Sequence, residues 1–149
     1  MFLGKGDAYY EYFLMSAEKK YPGRVSARIE QSEGLAHRIY AGADVFLMPS
    51  QFEPCGLSQL IAMRYGCLPL VRETGGLKDT VQPFNVYTNE GNGFSFGPYN
   101  AHEMLYAIER ACKYKKNKEQ WEGLIDRAMA ADFSWNRSAK EYKALYKSL

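Results

Sequence analysis

The chain has 149 residues, of which 46% are hydrophobic and 24% are charged, a composition that is typical of a globular protein and excludes intrinsic disorder. This length fits one domain, which we expect to fold as a single unit. Nineteen Lys and Arg residues against seventeen Asp and Glu residues leave a net charge of +2, which is too balanced to predict binding to nucleic acid or to a membrane.

The cysteines and the start of the chain indicate its compartment. Cys55, Cys67 and Cys112 are an odd number without a CxxC pair, which argues against a disulfide framework and against a zinc site. No secretory signal begins the chain, and no apolar stretch approaches the ~20 residues of a membrane span. We therefore expect a cytoplasmic protein without a bound metal. The opening Phe-Leu-Gly resembles the end of a strand and predicts that the chain is a fragment of a longer protein.

The first part of the chain predicts a helix, a strand and a second helix. Apolar residues recur at helical spacing over residues 8–20, and a Tyr-Pro-Gly stop signal follows them. Polar and apolar residues alternate over residues 24–29, which predicts a strand. A second helical pattern covers residues 32–42.

The middle of the chain predicts strands that alternate with short helices. Residues 44–49 form a nearly continuous apolar run, which predicts a central strand buried on both faces of a parallel sheet. A helix over 56–64 and a strand over 67–72 follow it. A short helical start at 78–80 and a last strand at 93–96 complete this part.

Three helices are predicted for the last third, over residues 100–115, 119–131 and 136–149. Asn100, with Glu103 three residues later, forms a pattern like a capping box at the first of them. Strands that alternate with helices of about ten residues imply right-handed parallel crossovers. We therefore predict an α/β fold with a doubly wound, Rossmann-like parallel sheet, in which ligands bind beyond the carboxyl ends of the strands.

The first candidate loop, residues 49–59, follows one of these strands. It contains Glu53, and Gly56 leaves backbone N–H groups free at the start of the next helix. A carboxylate opposite free amides suits a sugar, because sugar hydroxyls both donate and accept hydrogen bonds. The alternative is that Glu53 caps the helix from outside and that Cys55 is a small filler.

The second candidate loop, residues 73–80, follows the next strand. Gly75 and Gly76 stand between this strand and a helical start, where a phosphate can approach the backbone. Paired glycines also serve in plain tight turns, so the loop alone does not decide between these roles. Two such loops within about thirty residues of each other, each after a parallel strand, favour a site for a phosphorylated sugar.

Three runs of sequence carry a resemblance to a known family: ADVFLMPSQFEPCGL at 43–57, RYG at 64–66 and RETGGL at 72–77. With residues 35–42, 91–94 and 132–135, they make the chain similar to the C-terminal half of bacterial glycogen synthase and plant starch synthase. The resemblance covers nearly the whole chain.

The resemblance implies a GT-B glycosyltransferase, in which two Rossmann-like domains form one enzyme. The resemblance further implies a retaining glucosyltransferase that moves glucose from ADP-glucose to the non-reducing end of an α-1,4-glucan without a metal or other cofactor. Residues 1–149 would be its C-terminal nucleotide-sugar-binding domain, and the N-terminal acceptor-side domain of the same enzyme would complete it. The alternative is a stand-alone module that binds a sugar nucleotide or a glucan without turnover.

The resemblance also implies roles for individual residues. Glu53 corresponds to the carboxylate that contacts the donor glucose. Gln51 departs from the family, many of whose members have arginine there, and Gln31 lies near where some members place an aromatic residue against adenine. The candidate substrate-binding residues are Cys55, Gly56, Leu57, Ser58, Thr74, Gly75, Gly76 and Leu77.

The C-terminal part is rich in aromatic residues, and two roles are open for them. They could stack on the sugar faces of a glucan, or they could pack in the core. Their helical spacing favours packing. The residues concerned are Trp121, Phe133, Trp135, Tyr142 and Tyr146.

Overall fold

The computed structural model describes residues 1–149, which divide into two compact units, Met1–Gly42 and Ala43–Leu149. Both units combine helices with strands that pair in parallel. The predicted α/β class is therefore confirmed. That residues 1–149 form one domain stays a prediction.

The N-terminal unit holds two short strands and two helices. Strand β1 (Phe2–Leu3) pairs in parallel with β2 (Ala27–Arg28), and the helices are α1 (Ala8–Lys20) and α2 (Glu33–Gly42). The carboxylate of Asp7 accepts a hydrogen bond from the backbone N–H of Tyr9 at 2.8 Å and so fixes the start of α1. Neither helix has a fully buried residue.

The sheet of the C-terminal unit contains β3 (Val45–Met48), β4 (Leu68–Arg72) and β5 (Phe94–Phe96) in that spatial order, all parallel. Strand β4 is central, and its residues from Leu68 to Val71 are buried. The prediction that the 44–49 run forms a central strand is wrong for this sheet. Strand β3 lies at its edge, and Leu47 is 37% exposed.

Five helices belong to the C-terminal unit. The hydrogen bond from the Glu103 backbone N–H to the Asn100 side chain caps α5, as the sequence predicted. None of the helices is both long enough and apolar enough to span a membrane. The five are α3 (Ser58–Arg64), α4 (Gly75–Thr80), α5 (Ala101–Lys115), α6 (Lys118–Ala130) and α7 (Trp135–Lys147).

The core of this unit lies between the sheet and α3 to α6. The Trp121 ring stacks on Phe94 at a centroid distance of 6.1 Å, which confirms the predicted packing role of Trp121. For α7 that prediction is wrong, because none of its residues is buried and Trp135 is 87% exposed. Helical spacing identifies an apolar face but not what covers it.

Candidate functional site

The two candidate loops lie side by side at the carboxyl ends of two parallel strands. Residues 49–57, the glutamate loop, follow β3, and residues 73–77, the glycine turn, follow β4. Because β3 and β4 are parallel neighbours with Met48 paired to Val71, both segments leave the sheet at the carboxyl ends of adjacent strands. This is where an α/β sheet binds its ligands.

The glutamate loop and the glycine turn are in direct backbone contact. The N–H of Gly76 donates to the carbonyl oxygen of Pro54 at 3.3 Å. A Cβ added at Gly75 would overlap the carbonyl oxygen of Glu53, and one added at Gly76 would overlap that of Cys55. The two glycines are thus required where the two segments meet, a role that the sequence did not predict.

The backbone conformation distinguishes the two glycines. Gly75 has φ +45°, in the left-handed region that favours glycine, whereas Gly76 lies in ordinary helical backbone of α4. Conformational freedom is therefore needed at Gly75, and absence of a side chain is needed at both positions.

Arg72, the last residue of β4, holds the beginning of the glutamate loop. Its guanidinium donates to the carbonyl oxygens of Ser50 and Gln51 at 3.4 and 2.7 Å. The same group lies over the Tyr99 ring, 5.3 Å from its centroid. An arginine that ends an otherwise apolar strand is the sequence signal that could have indicated this role.

Gln59 holds the end of the glutamate loop, and it too was missed from the sequence. Its side chain is fully buried in the first turn of α3. Its Nε2 lies within hydrogen-bond distance of the carbonyl oxygens of Cys55 and Gly56 and of the hydroxyl of Thr80 in α4, so its two N–H groups are shared among three acceptors. A single amide thereby joins the loop to α4, the helix that begins within the glycine turn.

Glu53 is half-buried, and its carboxylate has no hydrogen-bond or ion-pair partner within the chain. Leu57 is the N-cap residue of α3, and no side chain caps that helix. The alternative that Glu53 caps α3 is therefore wrong. Cys55 is exposed, so it does not fill a space in the core either.

Free backbone donors lie in the same loop as this carboxylate and in the glycine turn that contacts the loop. The N–H groups of Gly56, Leu57 and Gly75 donate no hydrogen bond within the chain. A free carboxylate and free amides in two contacting segments can accept from and donate to the hydroxyls of one ligand.

The remaining predicted residues differ in accessibility. The side chain of Leu57 is 69% exposed, and Ser58 is half-buried at the start of α3. Thr74 is the N-cap residue of α4 but makes no side-chain capping bond, so its hydroxyl is available. Leu77 is fully buried, and its N–H donates to the carbonyl oxygen of Thr74 at 3.1 Å. We therefore assign Leu77 to the core.

No group of three or more His, Cys, Asp or Glu side chains is arranged to hold a metal ion.

Comparison with known proteins identifies the family. The family described as Glycosyl transferases group 1 matches residues 1–123. The chain belongs to this family.

Curated relatives give a finer match. The chain is 56% identical over 148 residues to a glycogen synthase of Desulfitobacterium hafniense and 57% identical over 147 residues to one of Geobacillus stearothermophilus. Each alignment covers 99% of this chain but only 32% and 30% of the relative. The resemblance predicted from the sequence is confirmed, and the chain spans about a third of the length of these relatives.

Solved structures confirm the fold. The catalytic domain of starch synthase IV from Arabidopsis thaliana, bound to ADP and acarbose, matches 97% of this chain and 31% of its own with a TM-score of 0.81 and 38% identity. A sucrose-phosphate synthase from Thermosynechococcus elongatus matches 99% of this chain and 37% of its own with a TM-score of 0.67 and 23% identity, a likeness of fold alone.

Proposed function

We propose that this chain is the donor-binding part of an ADP-glucose-dependent glycogen synthase. The proposed reaction transfers glucose, with retention of configuration, from ADP-glucose to the non-reducing end of an α-1,4-glucan. Identity above 55% to glycogen synthases over 99% of the chain supports this choice. Since the chain spans about a third of those relatives, the reaction is proposed for the whole enzyme, with a further domain as partner.

The observation that carries the proposal is the unpartnered Glu53 carboxylate in the loop that also presents free amides. Transfer of a glucosyl group with loss of ADP builds positive charge at the anomeric carbon in the transition state. A carboxylate beside the reacting sugar stabilises that charge, and fixed N–H donors orient the hydroxyls. In this proposal Glu53 is the catalytic carboxylate, and the N–H groups of Gly56 and Leu57 bind the glucose.

The remaining site residues are proposed to contact the donor as well. Cys55 and Ser58 flank the two amides in the glutamate loop, and the Thr74 hydroxyl with the N–H of Gly75 faces the donor from the glycine turn. The ADP in the starch synthase IV structure supports an adenosine diphosphate leaving group. The location in the cytoplasm stays a prediction.

A chimera tests the proposal. This chain replaces the 147 matching residues of the Geobacillus stearothermophilus glycogen synthase, and transfer of labelled glucose to glycogen is measured with ADP-glucose and with UDP-glucose. We expect transfer with a preference for ADP-glucose of at least about tenfold in kcat/KM. A chimera that melts cooperatively but transfers no glucose from either donor would contradict the proposal.

The second candidate function is a binding module without turnover. The free N–H groups of Gly56, Leu57 and Gly75 would serve the binding of a ligand without turnover equally well. The two candidates differ in one observable, because the module binds a sugar nucleotide or a glucan but adds nothing to the activity of a chimera.

A further inference from the structure

Gln59 is a polar side chain with no solvent exposure, placed directly after the loop that carries Glu53. Its Nε2 lies 3.2 Å from the carbonyl oxygen of Cys55, 2.9 Å from that of Gly56 and 3.2 Å from the Thr80 hydroxyl. All of these partners belong to the protein, so Gln59 acts on other residues and not on a ligand.

The direction of this hydrogen-bond chain is fixed by chemistry. Carbonyl oxygens only accept, so the amide nitrogen of Gln59, and not its oxygen, faces Cys55 and Gly56. The Thr80 hydroxyl donates to the carbonyl oxygen of Gly76 at 2.6 Å and therefore accepts from Gln59. The series of hydrogen bonds thus runs from Gln59 through Thr80 to the backbone of the glycine turn.

The bonds to Cys55 and Gly56 set the orientation of two peptide planes. In a trans peptide the C=O and the following N–H point in opposite directions. With the Cys55 carbonyl directed at Gln59, the N–H of Gly56 points away from it, and the same holds for the Gly56 carbonyl and the N–H of Leu57. Both N–H groups are free of partners within the chain.

We propose that Gln59 is a positioning residue of the donor site, which holds the N–H groups of Gly56 and Leu57 toward the hydroxyls of the transferred sugar. This inference rests on the proposed function. Gly56 provides the space for it, since a Cβ there would lie 2.5 Å from Oε1 of Gln59. That Oε1 is buried without a hydrogen-bond partner, which costs free energy of folding. The role of Nε2 in orienting the loop explains why a glutamine stands here in spite of that cost.

Substitutions in the chimera described above test this role. Gln59→Met keeps the length of the side chain but removes its donor, and Gln59→Glu keeps its shape and provides a second variant if the first does not fold. Met63→Ala is the matched control, because Met63 is a core residue of the same helix and its truncation lowers stability through a cavity. The measured quantities are kcat, KM for ADP-glucose, the inhibition constant of ADP and the melting temperature.

We expect Gln59→Met and Gln59→Glu to lower kcat/KM for ADP-glucose at least about tenfold. The inhibition constant of ADP should stay within about twofold, because ADP lacks the glucosyl ring that these amides are proposed to hold. Met63→Ala lowers the melting temperature and leaves kcat/KM within about twofold. A Gln59 variant with unchanged kcat/KM overturns the inference. So does an equal loss of affinity for ADP, which indicates a general scaffold role. A folded parent chimera without transfer counts against the proposed function instead.

Discussion

The carbonyl oxygen of Cys55 occupies the space that a Cβ atom on Gly76 would need. The carbonyl oxygen of Glu53 stands in the same relation to Gly75. Both carbonyl oxygens are backbone atoms, which cannot move away from an added Cβ by a side-chain rotation. The conformation of the glutamate loop therefore depends on two residues of the neighbouring glycine turn.

Replacing Gly76 by alanine is expected to lower the free energy of unfolding by about 1–3 kcal/mol, because the added methyl group forces the two segments apart. Urea unfolding of the chain measures the change. Gly97→Ala is the control, since a Cβ at Gly97 has no neighbour within 4 Å. Equal stability of the two variants would show that the segments separate without cost. In the chimera, Gly76→Ala should also reduce the stabilisation that excess ADP-glucose provides.

Glu53→Ala in the chimera is expected to lower kcat about 100-fold and to raise KM for ADP-glucose much less, since the carboxylate acts mainly in the transition state. Stability should change by less than about 0.5 kcal/mol, because the side chain has no partner to lose. Steady-state kinetics and thermal melting give the two readouts. Glu109→Ala, a change of an exposed glutamate on α5, is the control. A folded Glu53→Ala enzyme with intact kcat would remove Glu53 from the catalytic role.

Cys67 should make stability depend on pH in alkaline solution. Burial, with a smaller contribution from the charge of Asp44, raises the pKa of this thiol from 9.0 to about 11. Below the unfolded-state pKa the thiol is protonated in both states. Between the two pKa values only the unfolded chain loses the proton, so the free energy of unfolding falls as pH rises, by about 2 kcal/mol between pH about 8 and about 10.5.

Tyrosines and lysines titrate in the same range, so the Cys67 contribution is obtained by difference. Urea unfolding of Cys67→Ala should show a shallower loss of stability with pH than the parent chain, whatever its stability at neutral pH. Cys112→Ala should follow the parent, because Cys112 is exposed. Parallel curves for all three proteins would mean that the Cys67 thiol does not resist ionisation.

The isolated 149-residue chain is expected to transfer no glucose to glycogen. Transfer needs donor and acceptor held together, and loss of such positioning costs many orders of magnitude in rate. Incubation of the purified chain with labelled ADP-glucose and glycogen checks this, with the active chimera as the positive control. Measurable incorporation by the isolated chain would show that the acceptor site lies within these residues.

Local patterns predicted most helices and strands, because periodicity and caps such as Asn100 are properties of neighbouring residues. The predicted start of a helix was wrong where a residue has a backbone conformation that a helix excludes. The helix predicted from Gly56 begins at Ser58, since Gly56 has φ +78° and cannot continue a helix. The exposed Trp135 shows a second limit, because sequence spacing alone does not reveal which apolar face finds a partner.

The site was predicted in part for the same physical reason. Glu53 and the glycines stand out because they follow apolar strands, and the structure places them in adjacent segments. The Arg72–Gln51 and Gln59–Thr80 contacts join residues 21 positions apart in sequence, so local patterns can mark Arg72 as a candidate but cannot identify these partners. Predicting them would have required the register of β3 on β4.

The contacts of Gly75 and Gly76 with the glutamate loop have a consequence for protein engineering. A graft of residues 49–57 alone onto another α/β scaffold would lose the surface that shapes it, because the matching glycines would stay behind. The smallest portable piece is the whole stretch 45–80, with both strands, their register and the Gln59–Thr80 bond. An exchange of the glutamate loop between family members should therefore transfer this stretch intact.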